Sequence, residues 1–186
     1  MFSNLSAFIL RLWGWTVRGT YPHHLKKYII IVMPHTSAWD MPLGFLLRSM
    51  WKSDVKFLGK AELFRPPFGF LFYWLGGYPV ERSRRHNYVD MVANIFKSKD
   101  RFSIAIAPEG TRKKVDRLKT GFYHIAKAAQ VPIVMCKFDF GRKTVEIAEP
   151  FHPSQDQDAD FQVIYNFFRG ATGKIPEYTF CMSNDH

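Results

Sequence analysis

In the stretch Pro34-His35-Thr36-Ser37-Ala38-Trp39-Asp40, a histidine and an aspartate stand with four residues between them. A histidine takes a proton from a hydroxyl near neutral pH when its other ring nitrogen is held in one tautomer. An aspartate folding back onto that nitrogen would hold it and would stabilise the imidazolium that forms. The same spacing also admits a plainer reading, with Asp40 capping a helix and His35 satisfied in the core. No second His or Cys with ligand spacing accompanies the pair, so a metal site is not expected. Ser37 lies between them, but nothing around it reads as a nucleophile elbow. The attacking group would then be a hydroxyl of the substrate.

A second cluster, Pro108-Glu109-Gly110-Thr111-Arg112, suits an anion. Arginine offers a planar fork of donors to phosphate, and backbone around a glycine can approach an oxygen closely. Taken alone it reads more often as a turn with a surface arginine.

Both clusters follow apolar runs that read as strands buried on two faces: residues 28–33 (YIIIVM) and 102–107 (FSIAIA). Further strands are expected at 55–58, 78–80, 132–138 and 144–147, and helices at 39–50, 86–98, 121–130 and 158–168. Strands alternating with helices predict a single α/β domain with a mainly parallel sheet covered by helices. In such sheets ligands bind beyond the carboxyl ends of the strands, where His35 and Glu109 both fall. No internal repeat, low-complexity stretch or linker interrupts the chain.

The helical spacing of Leu5, Phe8, Ile9, Leu12 and Thr16 predicts an amphipathic helix over residues 3–18, packed on the core or lying in a lipid headgroup plane. Arg11 interrupts its apolar run, so it is neither a convincing signal peptide nor a spanning helix. Residues 68–75 (FGFLFYWL) are uncharged and largely aromatic, and read as core or as a lipid-facing surface.

The chain has 186 residues, 17% of them aromatic, and 26 Lys and Arg against 16 Asp and Glu give a formal charge of +10. That charge calls for an anionic partner. No nucleic-acid-binding signature accompanies the dispersed basic residues, so nucleic acid is not expected. Basic charge beside many Trp and Tyr fits a lipid headgroup surface better. Two cysteines without metal spacing suit a reducing compartment.

Four ordered blocks, His35-Thr36-Ser37-Ala38-Trp39-Asp40, Gly77-Tyr78-Pro79-Val80-Glu81-Arg82, Pro108-Glu109-Gly110-Thr111-Arg112 and Val131-Pro132-Ile133-Val134, resemble those of the glycerolipid acyltransferase family. The resemblance spans about residues 28–150, and it departs from the common pattern at Pro34, Tyr78 and Glu81. It implies transfer of a fatty acyl group from acyl-CoA or acyl-carrier protein to the hydroxyl of a lyso-lipid, foremost 1-acylglycerol 3-phosphate, with no other cofactor. By the same resemblance His35 would be the general base and Asp40 its orienting partner. Arg82 with Glu109, Gly110, Thr111 and Arg112 would hold the acceptor's phosphate, Lys60 would add charge there, and Val131 to Val134 would shape or support an acyl pocket.

These readings place residues 1–20 as a membrane-contacting amphipathic segment and 21–186 as an acyltransferase domain, peripheral on the cytoplasmic face of a membrane. A different lyso-lipid acceptor remains open, as does a catalytically silent module that binds anionic membranes.

Overall fold

The computed structural model describes residues 2–80 and 88–181. Its centre is a seven-stranded sheet: β1 (Thr16–Arg18), β2 (Lys27–Met33), β3 (Val55–Lys60), β4 (Gly77–Val80), β5 (Phe102–Ile106), β6 (Ile133–Asp139) and β7 (Thr144–Ile147). The spatial order is β1-β7-β6-β2-β5-β3-β4, parallel from β6 through β4. A tight hairpin turns β7 antiparallel to β6, and β1 pairs parallel to β7 at the edge. The expected α/β domain with a mainly parallel sheet is therefore observed.

The central strand β2 shows why its sequence is unbroken in apolar character. Ile29, Ile31 and Met33 point into the core beneath α4 (Tyr88–Ser98), α5 (Gly121–Ala129) and α6 (Gln157–Phe168). Tyr28 and Ile30 point the other way, toward Leu10 of α1 (Phe2–Leu12) and Leu43 and Leu47 of α2 (Asp40–Met50). Alternate side chains leave opposite faces of a strand, so helices on both faces demand apolar residues at every position.

The N-terminal helix is shorter than its spacing predicts. α1 ends at Leu12, a turn passes through Gly14 at φ +83°, and residues 16–18 join the sheet. The exposed edge of β7 supplies hydrogen-bond partners that a continued helix would not use, and β-branched Thr16 and Val17 suit a strand. α1 runs antiparallel to α2, with Ser6 Oγ donating to Ser49 Oγ at 2.8 Å at one end and the rings of Trp13 and Trp39 5.9 Å apart at the other.

The aromatic stretch 68–75 also resolves. It forms a short helix, α3 (Gly69–Trp74), that buries only Gly69 and leaves Phe70 and Trp74 72% and 77% exposed. The rings of Phe70, Tyr73 and Trp74 lie on the surface, while Phe72 is half-buried against Phe64. Arg48 of α2 ties its end down by donating from Nη1 to the Leu75 carbonyl.

Candidate active site

Sheet order sets the site. The carboxyl ends of β2, β5, β3 and β4 lie side by side, so the segments that follow β2, β5 and β3, beginning at Pro34, Ala107 and Ala61, open on one edge of the sheet. Ile31 pairs with Ile106, which brings the HTSAWD and PEGTR loops next to each other.

Within the first loop, His35 Nδ1 lies 2.8 Å from Asp40 Oδ2. A carboxylate only accepts, so Nδ1 is the donor, and in the neutral imidazole Nε2 is then the nitrogen that keeps its lone pair. Asp40 is the first residue of α2, and its Oδ2 also accepts from the Ser37 amide at 3.2 Å. The Asp40 side chain is 5% exposed and that of His35 26%, so the carboxylate is shielded while the imidazole still reaches solvent. Ser37 Oγ accepts from the Trp39 amide, which closes the turn and uses this hydroxyl structurally.

The second loop reaches into the first. Glu109 is 2% exposed, and its Oε1 accepts from the His35 main-chain N–H at 2.8 Å. Burial pushes its carboxyl up from the usual range, partly offset by this hydrogen bond and by the His35 imidazole. Glu109, expected at the acceptor's phosphate, lies under the loop with its Oε1 on the His35 main chain. Gly110, at φ +64°, turns the chain outward, and Thr111 and Arg112 follow exposed. The left-handed conformation favours glycine at this point.

Lys60, the exposed last residue of β3, is paired in register with Val80, two strands from β2. It is on the same edge as His35. Arg82 lies outside the described residues. Val131, Ile133 and Val134 are buried, and β6 lies directly against β2 with Val134 opposite Ile30, so this block supports the strand that carries His35.

One support was not legible as a motif. Thr36 is buried, and its Oγ1 accepts from the Ile175 amide at 3.0 Å. A β-carbon on Gly173 would meet Thr36 Oγ1 and Cγ2 at 2.5 Å, so glycine permits this contact. The segment is anchored in turn by Gly173 N–H to Thr179 Oγ1 and by Phe140 N–H to the Thr172 carbonyl. The loop is thus held by α2, by the β5 loop and by residues 172–179.

Among the described residues, two carboxylate oxygens at the site, Asp40 Oδ1 and Glu109 Oε2, are buried without a hydrogen-bond partner, and no group of His, Cys, Asp and Glu has the arrangement of a metal site. A cavity of about 310 Å³ lies between α6 and residues 170–181, with Met33, Phe168 and Phe180 in its wall; none of the predicted site residues lines it.

Residues 15–138 match the family model described as Acyltransferase. The 1-acyl-sn-glycerol-3-phosphate acyltransferases of Salmonella typhimurium and Escherichia coli are each 32% identical over 142 residues, 72% of this chain and 56% of theirs. The protein of that name from Haemophilus influenzae is 29% identical over 77% of this chain and 67% of its own length. The chain therefore spans little more than half the length of the first two relatives. The crystal structure of the 1-acyl-sn-glycerophosphate acyltransferase PlsC from Thermotoga maritima shares the fold, with a TM-score of 0.58 and 19% identity over 89% of this chain and 74% of that one. With both strand-end loops, the supporting strand and the intervening sheet inside the matched span, this chain belongs to the acyltransferase family.

Proposed function

We propose that the protein transfers a fatty acyl group from a thioester, acyl-CoA or acyl-carrier protein, to the hydroxyl of a lysophospholipid, with 1-acylglycerol 3-phosphate as the foremost acceptor. The observation that carries this reading is the His35–Asp40 pair, held at 2.8 Å with its outer ring nitrogen free to take a proton. His35 Nε2 removes the acceptor's hydroxyl proton as its oxygen attacks the thioester carbonyl. The tetrahedral intermediate then expels the thiolate, which takes the proton from the imidazolium. Asp40 stabilises that imidazolium, and holding both reactants at one loop supplies much of the acceleration.

Arg82, Gly110, Thr111 and Arg112 bind the acceptor's phosphate in this reading, and Lys60 adds positive charge on the same edge. Glu109 serves as a positioning residue through the His35 main chain. The relatives' printed names support a glycerophosphate acceptor.

The acceptor is a membrane lipid, and the surface suits peripheral contact. α1 presents Leu5, Phe8 and Leu12, and Trp39 is exposed beside His35's loop. No helix among the described residues is long and apolar enough to cross a membrane. Contact with the cytoplasmic face is part of the proposal. A silent membrane-binding module is disfavoured because it has no use for a buried carboxylate aimed at a histidine.

The test is direct. Purified protein given acyl-CoA and lysophosphatidic acid releases free thiol, and His35→Ala lowers the rate by about 10²-fold or more. Undiminished activity in that variant would sink the mechanism.

A further inference from the structure

The PEGTR loop does not end at Arg112. Residues 111–119 read Thr-Arg-Lys-Lys-Val-Asp-Arg-Leu-Lys, with Arg112, Lys113, Lys114, Arg117 and Lys119 set against Asp116 as the only acidic residue in that stretch. All five cations are exposed, and among the described residues none makes an ion pair. The stems of this loop are fastened together: the Lys119 N–H donates to the Pro108 carbonyl at 2.8 Å, the Gly110 N–H donates to the Ala107 carbonyl at 2.9 Å, and Leu118 is buried in the core. Lys119 folds across Gly110, where a β-carbon would meet its Nζ at 2.5 Å. Fastening five like charges into so short a closed loop costs repulsion that a bound anion would relieve.

The acceptor's phosphate does not account for so many cations. A phosphate monoester carries about two negative charges at neutral pH, which Arg82 and Arg112 match. The loop has little apolar surface: Leu118 is buried and Val115 half-buried. It therefore lacks the anchors of a protein interface and the side chains of an inserting segment, which α1 and α3 possess. A small, highly charged ligand fits it better than a carrier protein or a bilayer.

We infer that residues 113–119 bind the phosphates of a coenzyme A thioester, placing its acyl end toward His35. Glu109, one residue before Gly110, touches the His35 main chain, so a donor held on this loop lies beside the base. This assignment rests on the proposed acyl transfer.

The test uses the full chain and the surface variant Lys113→Gln/Lys114→Gln/Arg117→Gln. Calorimetric binding of coenzyme A, 3′-dephospho-coenzyme A and pantetheine needs no turnover, so it stays informative if the acyl-transfer reading fails. Affinity is expected to fall in that order and to weaken with added salt. The variant is expected to lose about tenfold or more for coenzyme A and to leave pantetheine unaffected. In turnover, the ratio of kcat/KM for palmitoyl-CoA to that for palmitoyl-pantetheine falls by a similar factor. Equal binding of coenzyme A and pantetheine by the unaltered protein overturns the inference. So does an unchanged ratio in the variant, or a loss confined to acyl-carrier protein as donor.

Discussion

Replacing Asp40 with asparagine separates the charge at the base of the site from its shape. The amide keeps the size of the carboxylate, and its oxygen can still accept from His35 Nδ1 and the Ser37 amide, which Oδ2 receives at 2.8 and 3.2 Å. In the proposed transfer, the charge that faces the imidazolium in the transition state is lost. Two unit charges about 4 Å apart interact by about 4 kcal/mol at the effective dielectric of a protein surface region. His35 is 26% exposed, so solvent screens part of this and about 2–4 kcal/mol remains. That corresponds to a fall in kcat of about 30- to 1,000-fold, since each 1.36 kcal/mol is about tenfold. The assay is dye capture of the thiol released from acyl-CoA at saturating lyso-lipid, with circular dichroism to establish the fold. A kcat within about threefold of the unaltered protein, in a folded variant, would refute a stabilised imidazolium and leave Asp40 as a structural residue.

Other perturbations address the surrounding supports. Arg82→Ala and Arg112→Ala should each raise the KM for a phosphate-bearing acceptor by about 10- to 150-fold, the worth of about 1.5–3 kcal/mol of charged hydrogen bonding; an unchanged KM in both would point to a headgroup without phosphate. Burial raises the Glu109 carboxyl pKa, so its stabilising contribution is fully present below the ordinary carboxylate value and is lost as pH rises through the folded value. Glu109→Gln keeps an acceptor for the His35 N–H and removes that loss, so the variant should gain stability relative to the parent as pH rises above the ordinary carboxylate range; denaturant melts with a pH-independent difference between the two would contradict this. Gly173→Ala drives a β-carbon into Thr36 and should cost about 1–3 kcal/mol of stability, with kcat reduced and acceptor KM unchanged; an unaltered Tm and kcat would show that residues 172–179 do not hold the loop.

The elements carrying the chemistry were legible because their sequence signals are local. Residues 28–33 and 102–107 are apolar on both faces, and their ends are marked by Pro34 and Pro108; the observed β2 and β5 stop within a residue of those limits. The overlong N-terminal helix shows where such signals fail. Helical spacing continues through Thr16, but the free edge of β7, more than a hundred residues away in the chain, offers residues 16–18 a better set of hydrogen bonds. The aromatic stretch 68–75 likewise has no periodicity that separates core from surface, and only its packing leaves Phe70 and Trp74 outside.

By itself the sequence determined that a histidine and an aspartate lie at a strand end, five positions apart, and that a glycine and an arginine follow another strand in the same way. It also determined the alternation of strand and helix that makes those ends share an edge, because a parallel sheet needs a crossover between strands. Only the tertiary structure decided that β2 and β5 are neighbours, and with that what Glu109 does. Its carboxylate is spent on the His35 main chain, an acceptor that no spacing along the chain reveals. The contact between Gly173 and Thr36 is of the same kind. Both depend on backbone groups, which every residue carries, and so a sequence pattern has nothing by which to announce them.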